Sequence, residues 1–156
     1  MSFDPNIKTV VLLADDDEND VLLFTRAIKS IGLASDVKHV SDGQQVIDYL
    51  QKNPPFTDKL AFPFPRFLIL DLKMPRKSGF EVLEWLQEHP ECKIIPTIVF
   101  SSSKIGDDIT RAYQLGANSY FTKPNDYEEL KAVFQLMLNY WGKANVPPIP
   151  VHQSCK

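Results

Sequence analysis

Phe67-Leu68-Ile69-Leu70-Asp71-Leu72-Lys73-Met74-Pro75-Arg76-Lys77-Ser78-Gly79 is the stretch on which the reading of this sequence turns. Four apolar residues stop at a carboxylate, and Pro and Gly follow within eight positions. A run that short, bounded by turn residues, predicts a buried strand that hands one acid to the loop at its C-terminal end. Open α/β sheets place their chemistry at that edge. Upstream, Val10-Val11-Leu12-Leu13-Ala14 ends in Asp15-Asp16-Asp17, so a second strand brings further carboxylates to the same edge.

Strand-like runs recur at Asp36 to Val40, Thr97 to Ser101 and Ser119 to Thr122, with helical patterns between them and after the last. A fivefold alternation of strand and helix predicts a parallel sheet covered by helices on both faces. In the first helix Val21, Leu22, Phe24, Ala27, Ile28 and Ile31 form the apolar stripe, Asn19 or Asp20 offers the cap, and Gly32 suits the left-handed residue at its end. A shorter helix carries Phe80, Leu83 and Leu86 before Pro90, and another carries Ile109, Ala112, Tyr113 and Leu115 up to Gly116. In the last helix Leu130, Val133, Phe134, Met137, Leu138 and Trp141 recur at three- and four-residue steps after the capping candidates Asn125 and Asp126.

At 156 residues and 44% hydrophobic content the chain suits one domain. Residues 1–7 read as an N-terminal extension, 8–142 as the domain, and 143–156, with Pro147, Pro148 and Pro150, as a flexible tail. A net charge of −3 without any basic block argues against nucleic acid or a membrane surface as partner. The start lacks the pattern of a signal peptide and no stretch approaches a membrane span, so a cytoplasmic protein is expected. Cys92 and Cys155 lack metal-ligand or redox-pair spacing and read as two free, reduced thiols. The segment 53–66, rich in Pro and Phe, is longer than most connections in such folds; it reads as an apolar loop folded over its own domain, with a docking surface as the other reading.

Two more strand ends add polar groups to the same edge: Thr97-Ile98-Val99-Phe100 delivers Ser101, and Tyr120-Phe121-Thr122 delivers Lys123-Pro124. Clustered carboxylates repel one another unless a divalent cation neutralises them. Magnesium, a hard ion that accepts one or two carboxylates plus phosphate oxygens, suits the set. A phosphoryl group in transfer asks for a cation, an ammonium, a hydroxyl and a fixed nucleophile, and Asp71 would be that nucleophile, giving an acyl phosphate. A calcium loop starting at Asp15 is excluded, because its sixth position is Asp20 and its twelfth Arg26. Asp17, Glu18 and Asp20 read as a solvated acidic helix start with a minor role in drawing in the cation, Asp107-Asp108 read as helix-start charges, and the three histidines show no site spacing.

Asp15-Asp16, Asp71, Ser101, Tyr120 and Lys123-Pro124, in this order and spacing, resemble the receiver domain of two-component response regulators over roughly Lys8 to Trp141. The resemblance implies a flavodoxin-like, doubly wound (βα)5 fold with strand order 2-1-3-4-5. It implies phosphorylation of Asp71 by the phosphohistidine of a sensor histidine kinase, with Ser101 and Lys123 holding phosphate oxygens. Magnesium would be held by Asp15, Asp16, Asp71 and the backbone carbonyl of Lys73, Asp15 acting through a water. Ser101 and Tyr120 would form the switch, and the Lys123–Pro124 bond would be cis. Lys73 and Ser103 depart from the family pattern at positions that border the attacking water's path. The segment 53–66, the turn at 74–79 and the aromatic end of the last helix are similar to stand-alone regulators that partner bacterial and cyanobacterial phytochrome kinases. Those dimerise through the fourth helix, fifth strand and fifth helix, which would put Tyr140 and Trp141 near a partner; the other reading has both aromatics capping their own core.

The implied function is signalling, not catalysis beyond the protein's own phosphorylation and dephosphorylation, with output through an unknown downstream protein. Two other classes compete with this reading. An aspartyl-nucleophile phosphatase of haloacid-dehalogenase type wants a second acid two residues after the nucleophile, where Lys73 stands. A flavin-binding electron carrier wants a phosphate loop after the first strand, where this chain has acids.

Overall fold

In the computed structural model, which describes residues 8–32, 35–148 and 154–155, five strands form one parallel sheet in the order β2-β1-β3-β4-β5. They are β1 (Thr9–Ala14), β2 (Ser35–Val40), β3 (Phe67–Leu70), β4 (Thr97–Ser101) and β5 (Ser119–Thr122). The longer helices are α1 (Glu18–Ser30), α2 (Gly43–Gln51), α3 (Gly79–Gln87), α4 (Gly106–Gln114) and α5 (Tyr127–Met137), with a four-residue helical turn at Pro90–Lys93 before β4. This is the flavodoxin-like doubly wound arrangement that the sequence predicts.

Side chains alternate across a strand, and here the alternation sorts the core into two layers. Leu12, Ala14, Leu68, Leu70 and Val99 join α2, α3 and α4 on one face. Val11, Leu13, Phe67, Ile69, Ile98 and Phe100 join α1 and α5 on the other. Both faces of the central strands are therefore covered, which is why β3 is an unbroken apolar run with every residue buried.

The helix ends are fixed by local side chains. Asp17 accepts the backbone N–H groups of Asn19 and Asp20, so it caps α1 in place of the two residues the sequence suggested. Ser78 and Glu81 form a reciprocal capping box on α3. Asp126 caps α5, as expected. The α-helix predicted through Trp141 ends at Met137 and continues as a π-helical segment, Leu138–Ala144. Within it Trp141 is 9% exposed and packs into the α1/α5 layer, whereas Tyr140 is 56% exposed and meets Trp141 edge-on at 4.9 Å. Trp141 caps its own core, and Tyr140 is the aromatic left on the surface.

The segment 53–66 lies over its own domain. Phe56, Phe62 and Phe64 pack against the α2/α3 layer. Phe56 and Phe62 lie with ring centroids 5.1 Å apart, and the Tyr49 hydroxyl donates to the Pro63 carbonyl at 2.7 Å. The cis peptide bond among the described residues joins Pro54 to Pro55 and not Lys123 to Pro124.

The expectation of two free thiols is corrected: Cys92 and Cys155 are joined in a disulfide, with Cα atoms 5.7 Å apart, and both are buried. Their 63-residue separation concealed a proximity that only the fold creates. The Cys155 N–H also donates to the Leu50 carbonyl at 2.9 Å. Residues 149–153 and 156 of the expected flexible tail, and the extension 1–7, lie outside the described residues. Among the described residues no helix is long and apolar enough to cross a membrane.

Gly79 is where the loop after Asp71 turns into α3. Its N–H donates to the Leu72 carbonyl at 3.0 Å, and a Cβ there would overlap the Asp71 carbonyl oxygen and stand 2.8 Å from Leu72 Cα. Gly79→Ala is expected to lower the unfolding free energy by about 1–3 kcal/mol through this overpacking. Gly106→Ala, with open space around the new methyl, should stay within about 0.5 kcal/mol; urea unfolding of both variants checks the contrast.

Candidate functional site

Strand register builds the site. Ala14 pairs with Leu70, so the next residue on each strand, Asp15 and Asp71, emerge side by side. The Asp71 N–H donates to the Ala14 carbonyl at 2.9 Å, extending the ladder by one step. Ser101 pairs with Thr122, and Lys123 follows with its N–H on the Ser101 carbonyl at 2.8 Å. These residues meet beside the β1/β3 boundary, where the strand order reverses and doubly wound sheets bind ligands. The loop after Asp71 is tied down from the other side. The Lys77 carbonyl accepts the Gly43 N–H at 2.9 Å, and the Arg76 guanidinium, on a left-handed residue (φ 64°), reaches Asp42 at 3.4 Å.

The Lys123 ammonium sits among carboxylates, 2.8 Å from Asp15 Oδ2, 3.0 Å from Asp71 Oδ2 and 3.0 Å from Asp20 Oδ2. Burial pushes the Asp15 carboxyl up to about 6, although hydrogen bonding and charge from Lys123 pull it down. Burial likewise raises Asp71, against the opposing charge of Lys123. For Lys123 burial disfavours the ammonium, but the Asp15 hydrogen bond and the charges of Asp71 and Asp15 outweigh it and hold the amine above its usual range. One ammonium leaves the cluster short of positive charge.

Asp15, Asp16 and Asp71 each place one oxygen so that the three lie within 4.8 Å of one another. An all-oxygen, all-anionic set whose buried members resist ionisation fits a hard divalent cation. Asp16 is exposed while Asp15 and Asp71 are buried, so the site opens to solvent on one side. Lys73 contributes its N–H to Asp71 Oδ1 at 3.3 Å, with its side chain exposed.

Ser101 and Tyr120 lie one shell away. Ser101 is fully buried and its hydroxyl accepts the Ser103 N–H at 3.3 Å. The Tyr120 hydroxyl donates to the Ser103 carbonyl at 2.8 Å, and burial raises its pKa. Ser103 also donates from its own hydroxyl to Asp108 at 2.6 Å. The β4–α4 connection is thus held between a β5 aromatic and an α4 carboxylate.

Three contacts escaped the sequence reading. Asp20, read as part of a solvated helix start, reaches Lys123. Asp108, read the same way, receives Ser103. His39 Nε2 donates to the Asp15 carbonyl at 2.7 Å, bracing β2 against the acid-bearing turn. A position four residues after Asp16 on a helix start could have signalled Asp20, because one helical turn returns it to the same side; no local signal marks His39.

Residues 11–135 match the model of the response regulator receiver domain. The response regulator Rcp1 of Synechocystis sp. (strain ATCC 27184 / PCC 6803 / Kazusa) is 30% identical over 141 residues, covering 90% of this chain and 94% of that one. A crystal structure of the Mn(2+)-bound form of response regulator Rcp1 superposes with a TM-score of 0.84 at 28% identity, over 90% of this chain and 99% of that one. A probable methanogenesis regulatory protein, FilR2 of Methanothrix harundinacea (strain 6Ac), is 32% identical over 141 residues, covering 90% and 88% of the two chains. The phosphorylated cyanobacterial phytochrome response regulator RcpA gives a TM-score of 0.86 at 28% identity, over 92% of this chain and all of that one. The phosphatase alternative finds no support in these matches. By fold, strand-end acids and a match over four-fifths of its length, the chain belongs to the response regulator receiver domain family.

Proposed function

We propose that Asp71 accepts a phosphoryl group from the phosphohistidine of a sensor histidine kinase, in the cytoplasm. The kinase is of phytochrome type in the finer reading, which the likeness to RcpA supports. An Asp71 carboxylate oxygen attacks phosphorus opposite the N–P bond; the O–P bond forms as the N–P bond breaks, and the imidazole leaves with the electron pair. The observation that carries this reading is the convergence of Asp71 with Lys123 at 3.0 Å inside a ring of acids drawn from separate strand ends. Asp15, Asp16, Asp71 and the Lys73 carbonyl would hold magnesium, which when bound neutralises the carboxylates and the phosphate oxygens. The likeness to an Mn(2+)-bound structure supports a divalent ion there.

Lys123 is the mobile charge. It surrenders the Asp71 oxygen and takes a phosphate oxygen, while the Ser101 hydroxyl donates to another. Drawing Ser101 toward the phosphate pulls on Ser103, and through Ser103 on Tyr120 and Asp108. The output face is α4, β5 and α5, where Tyr113 on α4 and Leu136 on α5, with Ile105 just before α4 and Tyr140 in the π-helical segment after α5, are exposed apolar side chains that suit a second copy or a downstream protein. The chain signals by this change and turns over no substrate beyond its own phosphoryl group.

Incubation with acetyl phosphate should add one phosphoryl group by intact mass, dependent on both magnesium and Asp71, and Asp71→Asn should remain unmodified; normal labelling of that variant would sink the assignment. Lys123→Met removes the ammonium that competes for Asp15 and Asp71, so calorimetry should show tighter divalent-ion binding, while the rate of labelling falls by about a hundredfold or more. Tyr120→Ala should leave labelling within about twofold yet weaken phosphorylation-induced dimerisation by about tenfold, as read by sedimentation; unchanged dimerisation removes Tyr120 from the switch.

A further inference from the structure

Where the segment 53–66 meets the end of α2, the fold places an amine that the phosphoacceptor site does not use. Two side chains clasp the segment there. The Tyr49 hydroxyl donates to the Pro63 carbonyl at 2.7 Å, and the Lys52 ammonium, on the residue after the helix, donates to the adjoining Phe62 carbonyl. Lys52 takes the left-handed conformation (φ 61°) in which helices commonly end on glycine. Its Nζ stands 4.4 Å from the centroid of the Tyr49 ring. Phe62 meets the same ring edge-on with centroids 5.9 Å apart, and Phe56 meets it at 5.3 Å.

A carbonyl and a ring face attract a cation without supplying a full negative charge, and among the described residues Lys52 forms no ion pair. From β2, Asp36 acts on Tyr49 by its charge but is paired with Lys38 at 3.2 Å, and Lys38 lies 6.0 Å from the Phe62 ring centroid. Burial holds the Tyr49 phenol above its usual range, so it stays neutral. Burial, and after it the charge of exposed Lys59, brings the Lys52 amine down to about 8. Lys123 is the opposite case, since its ring of acids holds that amine above its usual range. Around neutral pH Lys52 therefore supplies neutral, nucleophilic amine while Lys123 stays an ammonium. Lys52 is half-buried and is followed by exposed Asn53, Pro54 and Pro55, so a small reagent reaches it without opening the core.

We propose that Lys52 is an N-acylation site for small acyl phosphates, and that its acylation unclasps the segment 53–66 from the end of α2. The neutral amine attacks the carbonyl carbon of the donor. The N–C bond forms, the C–O bond to phosphate breaks, and inorganic phosphate leaves with the electron pair and takes up the proton that the amine gives up. The exposed Lys59 ammonium, whose charge acts on Lys52, attracts the anionic end of the donor. The product amide is neutral and keeps one N–H where the ammonium had three, so the attraction to the Tyr49 ring is lost and the hold on the Phe62 carbonyl weakens. A small acyl phosphate thus offers this chain two electrophiles, its phosphorus to Asp71 and its carbonyl carbon to Lys52. The Lys52 reaction needs no divalent ion.

The whole chain is incubated with acetyl phosphate in the absence of magnesium across a pH series, and acetylation of each lysine is followed by peptide mass spectrometry. Near pH 8 Lys52 should take the acetyl group at least about tenfold faster than exposed Lys93 and Lys104. Its rate should level off above about pH 8, where its amine is already neutral, while theirs keeps rising. Amide hydrogen exchange in the peptide covering 53–64 should accelerate by at least about fivefold in the acetylated chain. Lys52→Gln should show the same fast exchange without any reagent. Lys52→Arg, which keeps the charge, should exchange slowly before and after treatment and should match the native chain in magnesium-dependent labelling of Asp71. Acetylation of Lys52 no faster than that of Lys93 and Lys104, a rate that climbs past pH 8 as theirs does, or equal exchange in the acetylated and unmodified chains overturns the proposal. Acetylated Lys52 with no phosphoryl group on Asp71 when magnesium is present counts against the phosphoacceptor reading alone.

Discussion

The contact between one ammonium and its carboxylates is what the functional end of this molecule depends on. Lys123 reaches Asp15, Asp20 and Asp71 at once, with Asp16 beside them. A unit pair about 4 Å apart gains about 4 kcal/mol at an effective dielectric near 20, whereas removing an ion from water costs several kcal/mol. A single ammonium therefore cannot discharge the group, and Asp15 remains up at about 6 despite its direct partner. The excess negative charge is the physical reason for a second cation. It also makes Lys123 displaceable, because whatever neutralises the acids frees the amine for another anion.

Holding like charges together is possible because the scaffold leaves them no room to separate. Asp15 and Asp71 each follow a ladder-paired residue, and hydrogen bonds across β1/β3 and β4/β5 carry the pairing one residue past the strands. Both faces of the sheet are buried, so a slip of register would expose an entire apolar set. Repulsion at the rim is offset by burial in the layers. The turn at 74–79 adds a brace from α2, and His39 adds one from β2.

The two ends of the strands differ in kind. At the C-terminal end the contacts are polar and open to solvent only at Asp16: a largely buried ammonium, the exposed Asp16, and a hydroxyl network running from buried Ser101 through Ser103 to Asp108. At the N-terminal end they are apolar and covalent, with Cys92, Leu50 and Cys155 in one layer.

The strands were legible because their signal is local. A buried parallel strand is apolar on both faces, and Phe67–Leu70 and Thr97–Ser101 stand out on that signal with the bounds the structure has, as does the half-buried edge strand Ser119–Thr122 by its short β-prone run. The acids, the hydroxyl and the lysine were legible for the same reason, since each stands at the end of such a run. Cap positions slipped by a residue or two, because Asp17, Asn19 and Asp20 are all competent and only the geometry of the β1–α1 turn chooses Asp17. Tyr140 and Trp141, adjacent in sequence, parted into surface and core only once the π-helical turn set their direction. By itself the sequence determined the strand order of events along the chain, the two-faced burial and the set of chemical groups at one edge, all consequences of period and position. Tertiary structure alone decided that Asp20 and His39 belong to that edge, that Phe56 and Phe62 close over Tyr49, and that Cys155 meets Cys92, because each depends on a distance between segments that no local pattern encodes.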